Sequence, residues 1–216
     1  MKSSTKKLVG LAMFCAISYL IMVIGRIPVV MFLKYDPKDV MVAIAGFVYG
    51  PLSAFIVSVI VSFFEMITVS NDGIIGFIMN VLSTSVFVCT ASFFYKKKHT
   101  IKGAMIGLLL GSVLTIFIMV LWNYFLTPIY LGFPTEAVLE ILVPVIIPFN
   151  ILKCGLNTAF TLVLYKPIVQ SLRKAHLIED KKIDSTKKKF NIKVTALTAF
   201  ILLNCVLIFL FLKGIL

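Results

Sequence analysis

The stretch AMIGLLLGSVLTIFIMVLWNYFL, residues 104–126, runs for 23 positions without a charged side chain. Wound as an α-helix at 1.5 Å per residue it reaches ~35 Å, enough to cross the ~30 Å hydrocarbon layer of a bilayer. Similar runs recur along the chain at 8–25, 52–69, 74–95, 141–165 and 194–212, with a shorter one at 40–49. Of the 216 residues, 60% are apolar and 14% charged. A soluble domain of this length has too little interior for that much apolar surface, so lipid must solvate its outside. The predicted fold class is therefore all-α, a polytopic membrane helical bundle embedded in the lipid bilayer. Disorder, a disulfide scaffold and a nucleic-acid-binding domain are excluded, although a net charge of +12 would otherwise suggest nucleic acid.

The details agree with this class. Cys15, Cys89, Cys154 and Cys205 sit singly in different apolar runs, without pairing or metal-ligand spacing. They read as small core or lipid-facing residues, and no metal site is expected. The first run shows no small-residue cleavage pattern and reads as a retained helix, not a signal peptide. Tyr49, Gly50 and Pro51 end the short second run and start the third, because glycine suits a helix C-cap and proline a first turn. A tight helical hairpin is expected there.

Orientation follows from the basic residues. Lys2, Lys6 and Lys7, then Lys96, Lys97, Lys98 and Lys102, then nine more between Lys166 and Lys193, make sixteen of the 21. They share one side if the N-terminus is cytoplasmic. The opposite side then carries Asp36, Asp39, Asp72, Glu136 and Glu140 in its loops, with Arg26, Lys34, Lys38 and Lys213. If the last run spans, the C-terminus is extracellular.

Close approach through small residues is the main packing device between helices in lipid. Three stripes qualify: Ala12 and Ala16; Ala54, Ser58 and Ser62; and Gly103, Gly107 and Gly111. The last two read as intramolecular contacts, and the alanine pair is the one available to a partner protein.

Function is most legible where polar side chains interrupt the apolar runs, because burying them in hydrocarbon is costly unless something satisfies them. These are Glu65, Asn80, Asn123, Asn150, Lys153, Asn157 and, in the tail, Asn204. Asn150, Lys153 and Asn157 fall on one helix face at i, i+3 and i+7. Lys153 could pair with Glu65 as a structural salt bridge. Alternatively it donates into a ligand cavity open to the outside. Asn123, flanked by Trp122 and Tyr124, and Asn80 lie at comparable depth. Amides, one ammonium and aromatic rings suit a flat heteroaromatic ligand. HExxH, GxSxG, Walker A and paired catalytic carboxylates are absent from the sequence, so no catalytic residues are assigned. ATP-driven work would fall to other subunits. His99 and His176 read as solvated loop residues.

Several segments resemble the riboflavin-specific substrate-binding (S) components of energy-coupling factor (ECF) transporters, the RibU family. They are Ala12-Met13-Phe14-Cys15-Ala16, Leu33-Lys34-Tyr35-Asp36-Pro37-Lys38-Asp39-Val40, Tyr49-Gly50-Pro51, residues 73–80, Asn123-Tyr124-Phe125 and Pro148-Phe149-Asn150-Ile151-Leu152-Lys153. The resemblance implies a six-helix S-component core that binds riboflavin from outside, in a bacterial cell membrane. It implies as partners a transmembrane coupling subunit and two cytoplasmic ATPase subunits. It further implies that Asn123, Asn150 and Lys153 hold the isoalloxazine ring with Asn80 nearby, that Tyr35 and Asp36 belong to a covering loop, and that Ala12 and Ala16 form the coupling contact. Riboflavin would be transported cargo, not a cofactor.

The likeness stops near Ala175. The domain expectation is thus a capture domain at 1–175, a lysine-rich cytoplasmic linker at 176–193 and a seventh, additional transmembrane segment at 194–216. Two alternatives stay open. One keeps the fold but changes the ligand to another vitamin or to the flavin nucleotide FMN. The other is an intramembrane enzyme or a scaffold without small-molecule cargo.

Overall fold

The computed structural model describes residues 3–132, 134–178 and 192–215. Helix α1 (Ser3–Gly25) leads through Arg26 into a hairpin of β1 (Ile27–Val30) and β2 (Leu33–Tyr35), with Ile27 opposite Tyr35 and Pro28 opposite Lys34. Then come α2 (Lys38–Tyr49), α3 (Pro51–Thr68), α4 (Gly73–Lys98), α5 (Ile101–Leu131) and α6 (Thr135–Ile141). A π-helical turn (Leu142–Ile146) joins α6 to α7 (Ile147–Lys174), and α8 (Ile192–Leu212) follows. Among the described residues, six helical stretches are long and apolar enough to cross a membrane: α1, α3, α4, α5, the continuous run through α6 and α7, and α8. The helical membrane bundle expected from the apolar runs is the architecture found, with one two-stranded hairpin added to it.

Burial is inverted relative to a soluble protein. On α5, Val113, Phe117 and Phe125 turn apolar side chains outward, whereas Lys38, Asp39 and Glu65 are almost fully enclosed. Lipid can solvate the first set; only protein partners can satisfy the second.

Helix α2 explains how the bundle closes. Its 12 residues span ~18 Å, too short to cross a bilayer, and every residue from Lys38 to Phe47 is buried. It packs against α1, α3, α4 and α7 as an internal strut. Gly50 then turns the chain with φ +95°, a region favouring glycine, and Pro51 opens α3. The expected hairpin is present.

The small-residue stripes of α3 and α5 lie at helix contacts. Ala54, Ser58 and Ser62 are buried. A Cβ at Gly107 would stand 2.7 Å from the Ala91 carbonyl, and one at Gly111 equally close to that of Phe87, so α4 and α5 touch backbone to backbone.

Three expectations need correction. Residues 27–35 form a strand hairpin where only an outer loop was expected; the alternation of buried Leu33, exposed Lys34 and buried Tyr35 has the period of a strand. The sixth apolar run starts at Thr135 instead of Ile141. Pro144 and Pro148 lack the N–H groups that would continue the α pattern, and the ladder shifts so that Ile147 donates to the Leu142 carbonyl. Finally, Lys38 and Asp39 are the buried first turn of α2, not solvated loop charges. Of the lysine-rich linker, residues 179–191 lie outside the described residues.

Candidate functional site

At the hairpin end of the bundle a cleft opens between the β1–β2 hairpin and the adjoining halves of α4, α5 and α7. The hairpin side contributes Arg26, Phe32, Leu33, Lys34 and Asp36. Helix α4 contributes Met79, Asn80 and Ser83, α5 contributes Trp122, Asn123 and Thr127, and α7 contributes Phe149, Asn150 and Lys153. Asn150 and Lys153 reach one wall together because three residues make nearly one helical turn.

Behind the cleft lies a network of buried charge. Lys153 Nζ stands 3.5 Å from Asp39 Oδ2 and donates to Ser83 Oγ at 3.3 Å. Asp39 also accepts from Thr84 Oγ1 at 2.7 Å and from Asn157 Nδ2 at 3.2 Å. Glu65 accepts from Arg26 Nη2 at 2.8 Å, from Asn80 Nδ2 at 3.0 Å and from Lys38 Nζ. Arg26 Nε faces Asp36 Oδ1 at 3.0 Å, a charge contact without the alignment of a hydrogen bond. The six ionic groups cancel: Arg26, Lys38 and Lys153 against Asp36, Asp39 and Glu65. Such cancellation is what allows charge to persist away from water. The Lys153–Glu65 salt bridge considered from the sequence is not the pairing adopted; each residue has another partner.

Burial, with the neighbouring Asp39 charge, drives the Tyr35 phenol well above its usual range, so it stays neutral and donates to Asn157 Oδ1 at 3.0 Å. Burial also raises Asp36, with Lys38 acting in the opposite sense.

Of the residues singled out from the sequence, Asn80, Asn123, Asn150, Lys153 and Asp36 converge on the cleft. Tyr35 does not line it; its ring is buried among the residues that support the hairpin. Ala12 and Ala16 lie apart, exposed on α1. Two amides are held within their own helices: Asn123 donates to the Met119 carbonyl and accepts from Thr127, and Asn150 donates to the Ile146 carbonyl.

Lys38, Asp39 and Ser83 were not among the site residues picked from the sequence, and Arg26 entered there only as a basic loop residue, beside Lys34, that a ligand phosphate would favour. For Lys38 and Asp39 one signal was available: they directly precede the apolar run from Val40, and charges drawn into such a helix are costly unless they pair inside. The arrangement presents amide, hydroxyl, guanidinium and ammonium groups beside Trp122 and Phe149, suited to a planar polar molecule with an apolar face. No group of three or more His, Cys, Asp or Glu able to hold a metal ion occurs among the described residues.

The family model described as ECF transporter, substrate-specific component, matches residues 6–165. The chain is 31% identical over 188 residues to the riboflavin transporter FmnP of Bacillus subtilis, covering 80% of this chain and 98% of that protein. It is 32% identical over 186 residues to the riboflavin transporter RibU of Streptococcus thermophilus, covering 80% and 87%. A solved chain described as "Structure and mechanism of the S component of a bacterial ECF transporter" matches with a TM-score of 0.67 at 26% identity, over 79% of this chain and 99% of that one.

Proposed function

The chain belongs to the substrate-specific components of ECF transporters, in the group that holds the riboflavin transporters RibU and FmnP, and from that premise we propose that it is the riboflavin-binding membrane subunit of an ATP-driven vitamin importer. The observation that carries this reading is the convergence of Asn80, Asn123, Asn150 and Lys153 on one cleft beside Trp122 and Phe149. The pyrimidine edge of a flavin offers carbonyls and ring nitrogens to amides and an ammonium, while its apolar edge suits the aromatic walls. Tyr35 acts from behind, by fixing Asn157 and the base of the hairpin.

In this reading riboflavin is cargo and the chain performs no catalysis. With the lysine-rich end of the bundle cytoplasmic, the cleft opens to the outside. Residues 1–175 form the capture domain, 176–193 a cytoplasmic linker and 194–216 a further span that ends outside. Ala12 and Ala16, exposed and four residues apart on α1, offer a close-packing face to a transmembrane coupling subunit, and two cytoplasmic ATPases supply the energy.

The visible absorption spectrum of the detergent-purified protein tests the proposal. A flavin band, or a thermal shift on adding riboflavin, is expected; a colourless preparation indifferent to riboflavin overturns it. Arg26 and Lys34 at the cleft favour a second reading, a flavin nucleotide whose phosphate they would bind, although Asp36 and Asp72 on the same lining oppose it. Competition between riboflavin and its phosphate separates the two.

A further inference from the structure

Helix α8 lies beyond the 6–165 span of the family match, yet it packs on α7 and on strand β1 of the hairpin, the elements that back the cleft. Its inward stripe is Ile201, Cys205, Ile208, Phe209 and Leu212, spaced to fall on one helical face. The lower part of that stripe packs on α7, where Gly155 permits close approach: a Cβ there would stand 2.7 Å from Cys205 Sγ. The upper part reaches the hairpin. Ile208, Phe209 and Leu212 pack against the buried cluster formed by Val29, Leu33 and Tyr35 with Phe149 and Leu152. Lys213 caps the contact, its Nζ donating to the Pro28 carbonyl at 3.4 Å and standing 5.8 Å from the Phe209 ring centre.

Leu33 and Phe149 belong both to this cluster and to the cleft lining, so the cluster that α8 packs against includes two residues that a bound molecule would touch. A four-residue and a three-residue strand paired only to each other make a weak unit on their own. Its attachment to the helices therefore decides how readily it swings away.

We propose that α8 braces the hairpin against α7, with Phe209 and Lys213 as positioning residues that slow release of the bound ligand. The inference rests on the riboflavin reading for its ligand but not for its geometry. A wall held from behind opens less often, so the brace acts on dissociation more than on the contacts made once the ligand is seated.

The test uses the full chain in detergent or nanodiscs, with exchange of bound tritiated riboflavin against unlabelled riboflavin as the readout. Phe209→Ala and Lys213→Gln are each expected to speed release at least threefold, with Phe209→Leu restoring most of the loss. Leu203→Ala, on the outward face of α8, is expected to change nothing. Hydrogen exchange at residues 27–35 of the ligand-free protein is expected to quicken in the same two variants, a readout that needs no ligand. Unchanged release together with unchanged exchange overturns the brace. Wild-type protein that ignores riboflavin overturns the ligand assignment, and hydrogen exchange then decides the brace alone. Should Phe209→Ala fail to fold, Lys213→Gln, altered at an exposed side chain, carries the test.

Discussion

Lys153 on α7 and Asp39 on α2 meet at 3.5 Å inside the bundle, and this pair joins the cleft wall to the internal strut. Asp39 also draws in Thr84 from α4 and Asn157 from α7, so one carboxylate ties three helices together. Lys153 thus has two roles, as a cleft residue and as the counter-charge that keeps Asp39 tolerable indoors.

Removing it should therefore damage more than binding. Lys153→Met strands a buried carboxylate, and breaking such a pair costs ~3–5 kcal/mol. A clear fall in melting temperature is expected alongside loss of riboflavin binding. Asn150→Ala breaks only a bond within its own helix. It should melt close to wild type and weaken binding by about tenfold, ~1.4 kcal/mol. Thermal unfolding and titration of both variants check the contrast.

Glu65 holds Arg26, Lys38 and Asn80 together. Glu65→Gln leaves two cations without their shared anion and should lower stability by ~3–5 kcal/mol. Asn80→Ala removes a donor to a buried carboxylate and should cost ~1.5–3 kcal/mol. Because both act on the same carboxylate, the double variant should lose less than the sum, and a thermodynamic cycle measures the difference.

The α4–α5 contact admits no side chain at Gly111, where a Cβ would meet the Phe87 carbonyl at 2.7 Å. Gly111→Leu should force the helices apart and sharply reduce the yield of folded protein. Gly132, which has open space around its Cβ position, should tolerate Gly132→Asn with little loss, since asparagine accepts the left-handed backbone. Size-exclusion profiles of the two variants read this out.

Asp36 supplies a pH signature. Burial raises its pKa above the ordinary 3.8, so folding favours the protonated form. Its stabilising contribution is complete below that ordinary value and is lost as pH rises through the folded value. Asp36→Asn should flatten this part of the melting-temperature profile, which scans from acid to neutral pH would reveal.

Ala12 and Ala16 are exposed on α1 and do not belong to the cleft lining. Replacing both by leucine should leave riboflavin binding within twofold while abolishing co-purification with a coupling subunit and hence uptake. Equal loss of binding and assembly would argue against a docking role.

The amino-acid order alone determined the membrane class, because a run such as 104–126 has no stable home in water, and it also marked the Gly50–Pro51 turn. It singled out Asn80, Asn123, Asn150 and Lys153, since polar groups within apolar helices are costly without a purpose. Only the tertiary structure decided the pairings: Lys153 with Asp39, Glu65 with Arg26 and Lys38, and Tyr35 with Asn157 in place of the cleft. Helical periodicity tells which residues of one helix share a face. Which oppositely charged group stands across from them depends on how several helices pack, and the placement of α8 behind the hairpin arises in the same way.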